Sequence, residues 1–397
     1  MEKEQKTITN ANEVRQNKLN VPTLRFAEYT DEWHKFALSD FVTRVTRRNK
    51  NNESSLPLTI SAQYGLVDQI TFFNKTVASV DLSGYYLLYN GDFAYNKSYS
   101  NDYAWGAVKR LDKYEKGCLS SLYFVFRPTD KVDSDYLTHY FETNKWHKGI
   151  SDIAGEGARN HGLLNMSVDN YFATKHYLPT LPEQRKIADF LNLIVKRIEI
   201  QNKIISKYET LIKGIREKIA NSDWKWIKLD ELIKNGVVIL NRGNIIPKHA
   251  KSDLYQYPVY SSSTQNNGLM GYNDSYMFDK ELITWSIDGG GNFFYRNKHK
   301  FSVTNVCGIM QVDESAYLYR FIAEMLTYQH SKMKFDYQSK AHPSVISTLY
   351  SLPVVPLAMQ STYCQLFIAT DKIISTEKTY LSKLKEQKNY LLSKMFI

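Results

Sequence analysis

The sequence of 397 residues predicts an α+β protein, with two mixed α/β domains separated by a long antiparallel two-helix coiled coil and related by an internal pseudo-two-fold repeat. Three observations carry this. Glu32-Trp33, with Leu38 and Phe41 behind it, returns as Asp223-Trp224 with Leu229 and Leu232. Each copy runs on to a Leu-Pro pair, Leu178-Pro179 and Leu352-Pro353, followed three residues later by Pro182 and Pro356. After each of those prolines comes a polar-apolar stretch with helical spacing. The chain exceeds the usual size of a single core, and the repeat supplies the boundary.

Residues 1–21 are polar and charged with no apolar run, so they read as a flexible N-terminal arm, neither a secretory leader nor a membrane span. The first domain is expected at 22–182. Within it, 84–89 and 122–126 are dense in Tyr, Phe, Leu and Val, as strands are, and 134–143 reads as a helix. The second domain is expected at 221–356, with strands at 282–285 and 306–310 and a helix at 317–329.

Between the domains, at 183–220, apolar residues fall at Ile187, Leu191, Ile194, Ile198, Ile205, Tyr208, Ile212 and Ile215, with Gln201 inside the row. This alternation of four and three is the seam of a coiled coil, and a polar seam residue fixes register. A helix over that stretch is roughly 55 Å long. Pro182 suits its first turn, where the missing N–H is not needed. The last segment, 357–397, carries Phe367, Ile374, Leu381, Leu384, Leu391 and Met395, with Thr370, Glu377 and Lys388 in seam positions. The simplest partner for each seam is the other. Connectivity makes the pair antiparallel, which would set the two bodies at opposite ends of a rod.

Apolar content of 43%, aromatics at 14% and charge at 23% are those of a folded soluble protein, and a net charge of +10 suggests a polyanionic partner. Cys118, Cys307 and Cys364 are odd in number and share no C-x-x-C spacing. Neither a disulfide framework nor a zinc site is indicated, which points to a reducing, cytoplasmic compartment.

Loops in both bodies are crowded with side chains suited to base edges and phosphates. In the first these are Arg47, Arg48, Asn49 and Lys50, then Gln63 and Tyr64, then Lys97 and Tyr99, then Arg159, Asn160 and His161. In the second they are Asn241, Arg242 and Asn244, then Ser262, Thr264 and Gln265, then Asn292 and Arg296, then Gln338, Lys340 and His342. Arg and Lys suit guanine, Asn and Gln suit adenine, and Ser and Thr serve base or backbone. Placement recurs while identity differs: Pro57, Ser61, Gln63 and Gly65 match Pro258, Ser262, Gln265 and Gly268. One duplicated scaffold with diverged reading loops would leave this trace.

Catalytic motifs point nowhere. Methylation of a base amine calls for an Asn/Asp-Pro-Pro-aromatic motif, and the chain has no Pro-Pro or Asn-Pro pair. A nuclease core of the Pro-Asp…Glu-x-Lys type has no Pro-Asp to start from. Asp288-Gly289-Gly290-Gly291-Asn292 lacks the Gly-Lys-Ser/Thr of a phosphate loop, and Phe293 to Arg296 read as strand. The nine histidines show no H-x-x-x-H or H-E-x-x-H spacing.

The run Leu178-Pro179-Thr180-Leu181-Pro182-Glu183-Gln184-Arg185-Lys186-Ile187-Ala188-Asp189-Phe190-Leu191, continuing into Lys196-Arg197-Ile198-Glu199, resembles the central conserved region of the specificity subunits of type I restriction-modification enzymes. Leu352-Pro353 to Pro356, Asp371-Lys372-Ile373-Ile374 and the Leu391 to Phe396 ending resemble that family's second conserved region, and Val21-Pro22 to Trp33 its start. The second copy departs from the first. Pro356 is followed by Leu357-Ala358-Met359-Gln360 where Pro182 is followed by Glu183-Gln184, which leaves the equivalence of the two helix starts open.

The resemblance implies a non-catalytic subunit whose two target-recognition domains each read one half of a bipartite, asymmetric DNA site. The helical pair would set the spacer and, around Glu183, Gln184, Arg185 and Ile187, dock two modification subunits. Those subunits would bring S-adenosylmethionine for adenine methylation. Two restriction subunits would bring ATP- and Mg-dependent translocation and cleavage, with no cofactor on this chain. A scaffold that assembles a complex without touching DNA is the alternative from a different class.

Overall fold

A computed structural model describes residues 20–99, 103–155, 162–263, 265–288, 290–333 and 340–397. All but the last two residues of the expected N-terminal arm lie outside these. The chain divides into two compact units, Met1–Ile200 with Leu381–Ile397, and Gln201–Tyr380. The division cuts both long helices, Leu181–Ala220 and Leu357–Lys394, so each unit is a sheet-bearing body with one segment of each helix. The protein is thus α+β with a repeated layout, as its sequence predicts.

In the first unit a four-stranded antiparallel sheet runs in the order Val42–Arg44, Phe124–Pro128, Phe93–Asn96, Ala107–Arg110. Its strands are short because each ends in a polar turn; the aromatic and β-branched residues between those turns form the core. Phe93 stacks on Phe126 with ring centroids 5.5 Å apart, and Tyr95 on Tyr171 at 4.7 Å. The helix Ser134–Tyr140 starts where the Asp133 carboxylate accepts the N–H groups of Asp135 and Tyr136. Its buried Tyr136 and Tyr140 meet Phe396, and Ile187, Ala188, Leu191, Ile194, Leu391, Leu392 and Met395 share the same core. The start of one long helix therefore packs beside the end of the other, which makes the pair antiparallel here.

The second unit holds a six-stranded sheet in the order Val238–Arg242, Cys307–Val312, Phe278–Ser286, Phe293–Val303, Tyr257–Tyr260, Leu269–Asn273. All neighbours are antiparallel except Tyr257–Tyr260 beside Phe293–Val303. Gly308 stands opposite Trp285, and a Cβ there would come within 2.0 Å of the indole, so only glycine lets the buried ring lie across the strand. Gln201 of the first helix donates to the side chain of Glu377 on the second, and Lys378 reaches Glu209 at 2.8 Å. Gln201 and Glu377, each expected as a polar residue in the seam of its own helix, meet here.

The seams are buried at most of the expected positions, with Ile198, Tyr208, Ile215 and Leu381 half-buried. Ile205, Ile212, Ile219, Phe367, Ile374, Leu384 and Leu391 are all buried, as is Thr370, whose hydroxyl donates to the Leu366 carbonyl at 2.8 Å. The three cysteines are buried free thiols. Burial pushes Cys307 up to about 12 and Cys364 to about 11, so both are neutral and packing residues at pH 7.

Backbone register corrects one sequence match. His34 pairs with Leu178 in the first unit, whereas the Lys225 carbonyl accepts the Val354 N–H in the second. Leu178 therefore corresponds to Val354 rather than to Leu352, and the helices begin at corresponding residues, Leu181 and Leu357. The two Leu-Pro pairs look alike but sit two residues out of step, because strand pairing over long range and not local resemblance sets the position. The equivalence of the helix starts, open in the sequence, is thereby settled.

Candidate nucleic-acid interface

One basic residue expected to face a ligand, Arg47, is tied into the first body. Asp92 is fully buried and accepts Arg47 Nη2 and Arg127 Nε, both at 2.6 Å, and the Tyr89 N–H at 2.8 Å. Arg47 also lies over the Tyr89 ring and donates to the Leu87 carbonyl, so it ties strands together. Asn49, fully buried, exchanges two hydrogen bonds with the backbone of Ser54. Its amide shapes the loop and offers nothing to a base, which corrects the expectation for this residue. Arg48 is exposed, stacked on Tyr86 and donating to the Gly84 carbonyl at 2.5 Å, and Lys50 is exposed. Lys97 lies over the Phe124 ring, and Tyr99 packs on the core while its N–H meets Gly162. Arg159, Asn160 and His161 lie outside the described residues, as do Thr264 and Gln338.

Gln63 and Tyr64 occupy the tip of the hairpin Leu58–Ser61/Gly65–Asp68, both exposed. Gln63 lines a cleft of about 630 Å³ whose opposite wall is helical: Ile198 from one long helix, Lys385, Lys388 and Asn389 from the other. Lys109, Asn144 and His147 line it too. Lys388 reaches Glu142 at 2.8 Å. Burial works to raise the Glu142 carboxyl, but its hydrogen bond with His139 and the Lys388 ammonium outweigh this and hold it at about 2. Lys109 is pushed down by burial, partly offset by Glu142. The cleft is thus a partly desolvated basic groove with one fixed carboxylate. Sequence reasoning missed Lys109 and Lys385; the one available signal was Lys388, a charge in a seam that otherwise buries apolar residues.

A polar relay leads away from it. His139 Nε2 meets Asn192 Oδ1 at 2.8 Å, Asn192 donates to Asp135 at 3.0 Å, and Asp135 takes Arg110 at 2.6 Å. A second cleft in this unit, about 570 Å³, is rimmed by Lys35, Lys145, Lys148 and Lys175.

The second body brings more of its expected residues together. Arg242 Nε donates to the Asn305 carbonyl, and the Asn244 N–H to Val303. Next to them Thr304 bonds Ser261 at 2.8 Å. Ser262 donates to the Val306 carbonyl, receives the Asp288 N–H at 3.4 Å, and offers its own carbonyl to Ser286 at 2.7 Å. Asp288 pairs with Lys340 at 3.5 Å, and the Asn292 carbonyl accepts the Ser286 N–H. Segments 241–244, 261–263, 265–268, 286–288, 290–292 and 304–306, with Lys340, therefore form one cluster. His342 takes a different part: it precedes the helix Pro343–Leu349 and accepts the Val345 and Ile346 N–H groups on its carbonyl. Asn241 is an exposed residue within the Val238–Arg242 strand.

Arg296 is corrected outright. Only 2% exposed, it donates Nε to Thr284 at 2.9 Å and Nη1 to the Asn267 carbonyl at 2.7 Å, and stacks on Tyr260 at 3.7 Å. Burial lowers its pKa to about 10, so it stays charged at neutrality but cannot reach a ligand. The matched glycines both close a hairpin at φ +80°, but the residue facing Gly268 as Ser61 faces Gly65 is Ser261 and not the expected Ser262.

The expected docking residues also turn inward. Glu183, 1% exposed, takes Arg25 in a two-point pair at 2.7 and 2.8 Å and the Trp33 indole N–H at 3.3 Å. Gln184 and Ile187 are as deeply buried, while Arg185 is exposed. The segment around Arg25 caps this helix root, with Phe26 against Phe190 and Glu28 against Lys186. At the second root Met359 holds the place of Glu183, and the Trp224 indole N–H has no partner among the described residues. No group of residues able to hold a metal ion occurs among the described residues, and none of their helices is long and apolar enough to cross a membrane.

Comparison with known proteins follows this geometry. Residues 221–388 match the Type I restriction modification DNA specificity domain family. Two putative type I specificity subunits of Mycoplasma pneumoniae are 32% identical over 155 residues and 34% over 140, covering 38% and 34% of this chain. The matched segments span 42% and 45% of those relatives, so the chain matches under half of their length. A third, 26% identical over 198 residues, is covered over 82% of its length and covers 49% of this chain. Among solved structures, the type I restriction-modification S subunit of M. genitalium superposes with a TM-score of 0.60 at 16% identity, over 95% of this chain and 99% of that one. A chain from a type I restriction-modification system solved for its complex assembly and conformational transition gives 0.52 at 15% identity, over 92% and 97%. Residues 221–388 are thus similar to that DNA specificity domain, and the chain shares the fold of the solved S subunits.

Proposed function

We propose that this chain is the DNA sequence-recognition subunit of a type I restriction-modification complex, each body reading one half of a bipartite, asymmetric site. The observation that supports it most directly is one scaffold present twice with different loops. Corresponding helix roots and corresponding glycine-closed hairpins carry unlike polar side chains, Gln63 and Tyr64 in one, Gln265, Asn266 and Asn267 in the other. Each correct base pair contributes about 1–3 kcal/mol, so two readers in one chain reach a discrimination that neither reaches alone. The basic cleft at Lys109, Lys385 and Lys388 suits phosphate, and the catalytic steps, with S-adenosylmethionine, ATP and Mg, fall to modification and restriction subunits.

Docking of those subunits shifts from the Glu183 root to the second helix. There Met359, Leu366 and Ile373 are 39%, 42% and 36% exposed at heptad spacing, a seam open to a helix from another chain. The test is a salt titration of duplex affinity for the full chain with its modification subunits. The log of the binding constant should fall linearly with log salt, and Lys385→Ala should flatten the slope by about 1. Salt-independent or absent binding would overturn the reading in favour of a scaffold.

A further inference from the structure

Asn266 and Asn267 sit in a conformation that the chain does not adopt freely. Their backbone angles are φ 45°, ψ 40° and φ 55°, ψ 29°, and Gly268 follows at φ +80°, three left-handed residues in succession. Left-handed conformation is unfavourable for an L-residue and is normally visited by single residues. Such strain persists only where the surroundings over-determine it.

Here the surroundings are a buried cation. Arg296 grips the Asn267 carbonyl with Nη1, anchors itself on Thr284, lies flat on Tyr260, and leaves Nη2 without a hydrogen-bond partner among the described residues. Gly268 admits this: a Cβ would stand 3.0 Å from Nη2 and 3.3 Å from the Ser261 carbonyl. Burying a guanidinium with one unsatisfied nitrogen is expensive, and stability alone would favour an apolar filler. What the arrangement secures is geometry. It holds Gln265, Asn266 and Asn267, all exposed, as a row of carboxamides standing out from the sheet.

We propose that Asn266 and Asn267 are base-reading residues of the second body, each suited to adenine, and that Arg296 is the positioning residue that fixes the turn presenting them. A carboxamide both donates and accepts, matching adenine N7 and N6 in the major groove, and a pair so placed reads only if its backbone is rigid. This inference rests on the DNA-recognition reading above.

Asparagine is also the residue that tolerates left-handed backbone best after glycine, so the test must separate scaffold from reader. Asn266→Gly and Asn267→Gly do so, because glycine accepts the same angles without strain and removes only the carboxamide. The full chain with its modification subunits is used to select sequences from a random duplex pool, and the recovered bases are counted. Each glycine variant should unfold at the wild-type temperature or above it, keep the other half-site and the salt slope, and lose adenine enrichment at one position by about 10-fold. Arg296→Met should blur the same positions together. Glycine variants that recover the wild-type sequence would overturn the proposal. A wild-type complex that recovers no sequence would overturn the DNA reading itself, and the proposal with it.

Discussion

Gln360 repeats at the second helix root both hydrogen bonds that Gln184 makes at the first, and adds one to Ala316. The Gln184 carboxamide accepts the Asp133 N–H at 2.8 Å and donates to the Pro179 carbonyl at 2.9 Å. The Gln360 carboxamide accepts the Leu318 N–H at 2.9 Å and donates to the carbonyls of Val355 at 2.8 Å and Ala316 at 3.0 Å. Each thereby ties the first turn of a long helix to the start of its body's own helix, Ser134–Tyr140 or Tyr319–Lys332. Both are almost wholly buried.

Gln184→Ala and Gln360→Ala should each destabilise their unit by about 2–4 kcal/mol, since a buried N–H and at least one buried carbonyl lose their partner and a void is left. Denaturant unfolding of the full chain measures this. A loss below 1 kcal/mol at either site would remove the structural equivalence of the two.

Glu324, 3% exposed, binds Arg216 of the first long helix and Arg320, both at 2.5 Å, and Arg320 also holds Asp371 of the second at 2.6 Å. Glu324→Ala should cost about 3–5 kcal/mol because two poorly exposed guanidinium groups lose a carboxylate. Glu217→Ala, whose carboxylate stands 3.9 Å from Lys332 with both side chains exposed, should cost under about 1 kcal/mol. Equal effects in thermal unfolding would contradict this assignment.

Acid should weaken the first unit in two steps. The Thr174 hydroxyl donates to the Tyr171 carbonyl, so His176 Nε2–H donates to Thr174 and Nδ1 accepts from Tyr140, a neutral ring that burial pushes from 6.5 down to about 4. The unfolded chain binds this proton first, so stability present above pH 6.5 falls between there and 4, by up to about 3 kcal/mol. Glu142 is depressed from 4.5 to about 2, so its contribution is present above pH 4.5 and is lost towards 2. His176→Gln should flatten the upper window and Glu142→Gln the lower. A stability profile between pH 4 and 6.5 unchanged by His176→Gln would refute the upper step.

Leu366→Glu and Ile373→Glu should leave unfolding of the chain within about 0.5 kcal/mol of wild type, because both side chains already face solvent. The same changes should prevent copurification of a modification subunit. Retained association would place the docking surface elsewhere.

By itself the sequence determined the repeat, the two seams and the α+β class. These are written in local periodicity: a row such as Ile205, Ile212, Ile219 is apolar wherever the helix lies, and the row of Phe367 and Ile374 answers it. Hairpin positions were partly legible too, because Gly65 and Gly268, which turn left-handed here, carry no Cβ to oppose it. Only the tertiary structure decided which polar residues are available. Arg47, Asn49, Arg296 and Glu183 read like surface groups, but their partners Asp92, Ser54, Thr284 and Arg25 are brought to them by folding, mostly from distant parts of the chain. Burial depends on that whole arrangement, and so does register: the correspondence of Gln184 with Gln360 follows from strand pairs and hydrogen bonds spanning each unit, which no short stretch of sequence encodes.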